Sequence, residues 1–413
     1  MALENKSPRA SIIIIAYNEE EKIERAIKSV CDQTVRELEL ICVDDGSTDS
    51  TYEHMLQCAS RDRRIKIIRQ TNSGTLAARY AGIMQASGRY TMFLDADDRL
   101  LPEAVRTACD AADSVGADVL EFGVRIVKNL QDPPSTYTYK WLSDYFSQKK
   151  AVPSAVQGPD LINACFCEHA ITWNLWNKVF QTGLIRDSVS LYQGEWLALT
   201  EDMLITLMVL SRARHYARIQ AKLYEYTIGG GLSTRPAALS SPKEVKDAAT
   251  AWQSLTLARK WLRSTGYPQE KIADSLAAIE RDLREGTVDR LSERCAPRMR
   301  KAFLRWLSQC CTEEEYTDLI CVCFDRQKEG SARLEEIIRQ SSEDAQRKQL
   351  SISRLEEERQ RLLENEARQR LYIGQLEAQN HQLQESYDTI SNAFFWKVTK
   401  PFRLILDFLK QLF

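Results

Sequence analysis

The sequence predicts an α/β protein: a mostly parallel sheet with helices on both faces, followed by a helical region. Three observations carry this reading. Short apolar runs alternate with amphipathic stretches over residues 1–127. The apolar runs are continuous and β-branched, as strands buried on both faces are. From Pro242 onward, apolar residues recur at three-to-four spacing, the period of a helix.

The elements follow in order. Ser11–Ala16 is the first strand, and Glu19–Gln33 follows as a helix with Ile23, Ala26, Ile27 and Val30 on one side. Leu38–Val43 is a strand, Ser50–Ser60 a helix, Ile65–Arg69 a strand and Leu76–Ala86 a helix. Tyr90–Leu94 is a strand, Pro102–Val115 a helix with proline in its first turn, and Asp118–Val127 a strand. Helices between strands imply parallel pairing. Residues 128–240 are less regular, with loops at Asp132–Pro134 and Val152–Pro159, a helix opened by Glu201–Asp202, and a turn at Gly229–Gly230–Gly231. Beyond them Glu244–Ser264, Gln269–Glu293 and Arg298–Cys310 read as helices.

This divides the chain into an α/β domain (1–240), a helical domain (241–330), a coiled-coil helix (331–392) and an amphipathic tail (393–413). In the third segment Leu355, Leu362, Leu376, Leu383 and Ile390 share one seven-residue register, and Gln369 interrupts it. Homo-oligomers joined through this helix are expected, although a single charged helix has the same pattern. In the tail, Phe394, Phe395, Trp396, Phe402 and Phe408 stand among Lys397, Lys400, Arg403 and Lys410. Such a helix suits peripheral contact with an anionic membrane, or packing on protein.

Composition narrows the function. The 413 residues carry 56 Lys and Arg against 58 Asp and Glu, so the basic excess of a bulk nucleic-acid binder is missing. The eleven cysteines include no CxxC pair and read as reduced, mostly buried thiols of a cytoplasmic protein. Met1–Arg9 is polar and carries no secretory pattern, and no apolar stretch approaches the roughly 20 residues of a membrane helix.

Acidic groups gather at the strand ends. Asp44–Asp45–Gly46–Ser47 follows the second strand, Asp95–Ala96–Asp97–Asp98 the fourth, and Tyr17–Asn18 the first. Ligands of such sheets bind at the carboxyl ends of strands. Oxygen ligands at Asp95 and Asp97 suit Mg²⁺ or Mn²⁺ shared with phosphates. Taken singly, each piece also suits a turn or a helix cap.

In order along the chain, Ala16–Tyr17–Asn18–Glu19, Gln33–Thr34, Val43–Asp44–Asp45–Gly46–Ser47–Thr48–Asp49, Asn72–Ser73–Gly74, Ala78–Arg79 and Phe93–Leu94–Asp95–Ala96–Asp97–Asp98 resemble family 2 glycosyltransferases. The resemblance covers residues 9–235 and is dense to about 127. It implies a GT-A fold, a nucleotide-sugar donor, a divalent metal (Mn²⁺ or Mg²⁺) and inversion at the sugar carbon. By the same resemblance Tyr17 packs on the nucleotide base, with Asn18 beside it. Asp45 contacts the base next to Asp44, Arg79 lies near the base, Asp95 faces the ribose and metal, and Asp97 holds the metal. Asp98 is a lesser candidate.

Thr200–Glu201–Asp202 resembles the family's acidic pair, with Asp202 as general base and Glu201 as an acceptor contact. Trp176 and Lys178, in the segment Trp173–Phe180, are expected at the acceptor site, or for Trp176 in the core. Tyr224–Glu225–Tyr226 resembles a later element in which the family often has Arg next; here Thr227 follows.

The reading is an inverting glycosyltransferase acting on a glycan or lipid-linked acceptor in surface polysaccharide or glycoconjugate assembly, at the cytoplasmic face of the inner membrane. The donor is a UDP-sugar by family frequency. The alternative is a catalytically idle, transferase-like scaffold that assembles a synthesis complex through its coiled coil. A nucleotidyltransferase fits less well, because the loop after the first strand, Glu19–Glu20–Glu21, is acidic rather than Gly-rich and basic.

Overall fold

A computed structural model describes residues 7–128, 157–190, 194–228 and 239–323, with 146, 192 and 360 as single positions. The coiled-coil and tail segments and the Gly229–Gly231 turn lie outside the described residues. The chain divides into one unit of Met1–Ala237 with Thr250–Leu283, and a second of Ala238–Ala249 with Arg284–Phe413.

The first unit holds an eight-stranded sheet. Its strands are β1 (Ala10–Ala16), β2 (Leu38–Asp44), β3 (Ile65–Arg69), β4 (Tyr90–Asp95), β5 (Arg99–Leu100), β6 (Val119–Lys128), β7 (Lys178–Gln181) and β8 (Tyr216–Ile228). Their order across the sheet is β3-β2-β1-β4-β7-β6-β8-β5. β1, β2, β3 and β4 are joined by parallel pairings, β7 runs antiparallel to both β4 and β6, and β6 pairs parallel with β8. The mostly parallel sheet expected from the sequence is therefore present. The reversed strand β7 was not foreseen, because its four residues are too short to show a period.

Strand β1 explains why the sheet is covered twice. Ile12, Ile13 and Ile14 are all fully buried, and successive side chains of a strand point to opposite faces. Ile12 and Ile14 belong to a core with Ile23 and Ile27 of α1 (Ile23–Cys31) and Val105 and Ala108 of α4 (Ala104–Val115). Ile13 faces the other way, onto α3 (Thr75–Gln85): a Cβ on Gly82 would come within 2.5 Å of the Ile13 side chain. Burying each isoleucine stabilises the fold by about 1.5–3 kcal/mol. Helix α2 (Thr51–Arg61) packs beside α1.

After the sheet come α5 (Pro159–Phe166), α6 (Thr182–Ser188) and α7 (Glu201–Leu210). Nine of the ten residues of α7 are buried. The stretch expected as one helix from Glu244 to Ser264 is two, α8 (Pro242–Thr250) and α9 (Gln253–Ser264). The break falls at Ala251–Trp252, where Trp252 is completely buried. α10 (Gln269–Asp289) runs into a π-turn at Arg290–Arg294, and α11 (Arg300–Leu307) follows. None of the eleven cysteines forms a disulfide. Among the described residues, no helix is long and apolar enough to cross a membrane.

Candidate active site

Register sets the site. In the parallel ladders Ala16 pairs with Asp44, and Ile15 pairs with Asp95. The ends of β1, β2 and β4 therefore lie level, and their loops leave from one edge of the sheet. Tyr17 and Asn18 head the loop after β1, with Tyr17 half-buried. Asn18 has φ 56°, a left-handed conformation that asparagine tolerates better than most residues. Its backbone N–H donates to Ser47 Oγ at 3.0 Å, and its Oδ1 accepts from the Thr48 N–H at 2.9 Å. Asn18 thus ties the first loop to the second.

The two aspartates after β2 do different work. Asp44 is fully buried; its Oδ1 accepts from the Ser47 N–H at 3.1 Å, and its Oδ2 lies 3.1 Å from Arg69 Nε. That carboxylate is enclosed and anchors the loop after β2. Asp45 accepts from Gln70 Nε2 at 2.7 Å, the Ser73 N–H at 2.9 Å and the Gly74 N–H at 3.0 Å. It fixes the chain entering α3, where Gly74 has φ 88° and a Cβ would press on the Leu197 carbonyl at 3.1 Å. The Leu76 N–H donates to that carbonyl at 3.0 Å, so the loop before α7 is anchored on the start of α3.

Arg79 of α3 joins the acidic groups. Its Nη2 donates to Asp95 Oδ1 at 3.1 Å and its Nε to Glu201 Oε1 at 3.0 Å. Residues 16 and 122 positions away from it along the chain thereby meet on one guanidinium. Burial opposes the charge on Arg79, but Asp95, Glu201 and Asp202 outweigh it and raise its pKa. Its Nη1 is buried without a hydrogen-bond partner. The nearby Asp202, at the first turn of α7, accepts the Met203 N–H at 2.9 Å. Burial, then the charge of Glu201, pushes its carboxyl up to about 8, against the pull of Arg79. Thr200, which precedes the pair, has φ 70°, a costly conformation for a β-branched residue and a frequent companion of functional sites.

The loop after β4 carries the remaining carboxylates. Burial, then Asp95 and Glu19, pushes Asp97 up to about 6, and Lys22 opposes the shift. Asp98 is enclosed: it accepts from Tyr224 Oη at 2.8 Å and the Thr227 N–H at 2.7 Å. Tyr224 Oη in turn accepts the Asp95 N–H at 3.1 Å. Asp98 therefore ties the loop to β8 rather than facing a ligand. Among the described residues, no cluster of three or more His, Cys, Asp or Glu side chains is placed to cage a metal. An open site, where the protein gives one or two carboxylates and phosphates complete the shell, has this donor set.

Lys178 and Trp176, expected at the acceptor site or, for Trp176, in the core, are both buried. Lys178 is fully buried, and its Nζ donates to Thr172 Oγ1 at 2.7 Å, Asn174 O at 2.6 Å and Asn177 Oδ1 at 3.0 Å, with Glu121 at 3.3 Å. Trp176 is 4% exposed and stacks on Tyr224 and Tyr226, with ring centroids at 4.6 and 5.0 Å. Both serve the core. The residue missed was Arg25, whose Nη2 donates to the Asp97 carbonyl. Its only sequence signal is a basic position three residues after Lys22 in an otherwise acidic run.

Level strand ends, a carboxylate loop after the fourth strand, and an acidic pair brought to it by an arginine thus meet at one edge of the sheet. Residues 11–166 match the family model for Glycosyl transferase family 2. The chain is similar to the putative glycosyltransferase EpsH of Bacillus subtilis (strain 168), 30% identical over 230 residues, 54% of this chain and 62% of that protein. It is also similar to the glycosyltransferase GlyA of Streptococcus pneumoniae serotype 4, 25% identical over 308 residues, 74% of this chain and 42% of that protein. Among solved structures, S. aureus TarS 1–349 in complex with UDP-GlcNAc aligns with a TM-score of 0.55 at 20% identity, over 79% of this chain and 92% of that one. This last likeness speaks to the fold. Residues 11–166 therefore form a family 2 glycosyltransferase domain, and the sheet with its flanking helices has a GT-A-like fold. It spans about three-fifths of the length of the Bacillus subtilis relatives it matches.

Proposed function

We propose that this protein transfers a sugar from a nucleotide-diphosphate donor to a hydroxyl acceptor, with inversion, in the assembly of a surface polysaccharide or glycoconjugate. The observation that carries the proposal is the Arg79 bridge, which brings Asp95 on the donor side and Glu201 on the acceptor side to one guanidinium, beside Asp202. In the proposed step the acceptor oxygen attacks the anomeric carbon, and the bond from that carbon to the donor phosphate oxygen breaks. The nucleoside diphosphate leaves with the bonding electron pair, and the acceptor proton passes to Asp202. A carboxylate whose acid form lies at about 8 holds the acceptor proton firmly, and it is ionised as pH approaches that value.

Tyr17 at the head of its loop suits stacking on the base, and Asp45 shapes the wall beside it. Mn²⁺ or Mg²⁺ fits the carboxylate loop: Asp97 would hold it with Asp95 beside it, since the negative field that raises Asp97 favours a cation. Such an ion supplies positive charge to the leaving diphosphate. The complex of the TarS structure with UDP-GlcNAc supports UDP as the nucleotide. The deciding experiment is thermal unfolding with UDP, GDP, TDP and CMP, each with and without Mn²⁺. A ligand that binds only the folded state raises its stability, so UDP with Mn²⁺ is expected to give the largest rise in Tm. No rise with any of the four would overturn the proposal.

A further inference from the structure

A departing diphosphate carries negative charge that the site has to meet. Arg79 is committed to Asp95 and Glu201, and the position after Tyr226 is Thr227, a residue without charge. The structure brings a cation to the same place from a different element. Arg25, one turn into α1, donates from Nη2 to the backbone carbonyl of Asp97 and reaches Thr227 Oγ1 at 3.5 Å. Its guanidinium therefore lies between the carboxylate loop and the end of β8, and it is exposed. Both contacts are made by Nη2, on an exposed side chain.

The surrounding acidic groups do not cancel it. Glu19 pairs with Lys22 at 2.8 Å, Glu20 accepts the Ser50 N–H at 2.9 Å, and Glu24 faces His54 at 3.2 Å. Lys22, three residues before Arg25 and so on the same face, also acts electrostatically on Asp97.

We propose that Arg25 is a diphosphate-binding residue: a charged fork from the first helix that meets the phosphates of the donor and of the leaving nucleoside diphosphate. The inference rests on the transferase reading given above. The guanidinium geometry matches phosphate oxygens two at a time, and each such bond is charge-assisted.

The test is the affinity of UDP and of uridine for the full chain by calorimetry, in EDTA so that no metal contributes. Arg25→Gln is expected to weaken UDP at least ~10-fold and uridine less than ~2-fold. Thr227→Arg in the Arg25→Gln background is expected to recover UDP affinity to within ~3-fold of wild type, because the charge returns to the same spot from the other side. A general loosening of the loop would instead weaken both ligands together, without rescue, and would overturn the inference. Equal UDP affinities in wild type and Arg25→Gln would overturn it too, and leave the donor site standing. Failure of the wild type to bind UDP, GDP or TDP would overturn the inference together with the reading it rests on.

Discussion

Two buried charged clusters lie in the same sheet domain, and they differ in balance. Around Lys178, charges and hydrogen bonds close on themselves. Glu121 takes Lys178 on one oxygen and Arg218 on the other, at 3.3 and 2.8 Å, while the Thr172 N–H and hydroxyl each donate to it at 3.1 Å. Burial opposes the charge of Glu121, yet Lys178 and Arg218 outweigh it and hold its carboxyl below the usual range. At the strand-end crevice the balance fails. Asp95, Glu201 and Asp202 gather on Arg79, and Asp97, Asp98 and Asp202 all shift upward. A cluster that satisfies itself rigidifies a core, whereas one with surplus like charge is costly to fold and is expected where a ligand or a proton completes it.

The sharpest way to break this comparison is to remove one partner from the closed cluster. Lys178→Ala is expected to cost about 3–5 kcal/mol of stability, because it leaves Glu121 buried with one cation fewer. Urea unfolding measures it, and a loss under 1 kcal/mol would mean the cluster is not closed. The acceptor KM of the folded fraction should move less than ~2-fold, which separates a core role from an acceptor role.

At the open cluster the effect should fall on rate instead. Asp97→Ala and Asp202→Asn are each expected to lower turnover at least ~100-fold, the order of one electrostatic or proton-transfer contribution. Release of nucleoside diphosphate from a UDP-sugar reads this directly. Wild-type rates in both variants would remove these residues from the mechanism.

Asp202 adds a pH signature. Its folded pKa, about 8, lies above that of an unfolded carboxylate, so the native state holds the extra proton between the two values. Stability therefore falls as pH rises from the ordinary carboxylate range through about 8, while kcat/KM should rise over the upper part of that window as the base ionises. Asp202→Asn should reduce the fall, since Asp97 and Asp98 still contribute to it, and be more stable than wild type at pH 8.5 by about 1–2 kcal/mol, with the gap closing toward pH 4. Equal stability at both pH values would place the proton elsewhere. The smallest effect is expected at Asp98→Asn. Burial, with Asp97 and Asp95, raises this carboxyl well above its ordinary value, so a neutral amide should cost no more than about 1 kcal/mol in a thermal melt.

Much of the fold was legible because its signals are local. The continuous run Ile12–Ile15 announces a strand covered on both sides, and Ile23, Ala26, Ile27 and Val30 announce the helix that covers one of them. Sequence order also placed Asp44–Asp45 and Asp95–Asp98 at strand ends. It could not tell that Asp44 and Asp98 turn inward, since that depends on Arg69 and Tyr224, which reach them from other strands. The antiparallel β7 and the break before Trp252 were missed for the same reason: short segments take their conformation from what they pack against.

By itself, the sequence determined the alternation of strands and helices, the residues at the strand ends and the family that they resemble, because periodicity and motif order are carried by neighbours in the chain. Only the tertiary structure decided which acidic groups share a cation, which are closed off in the core, and that Arg25 stands beside Asp97. Those outcomes depend on charges from distant segments meeting at hydrogen-bond distance, where burial strengthens each pairing and makes each unpaired charge costly.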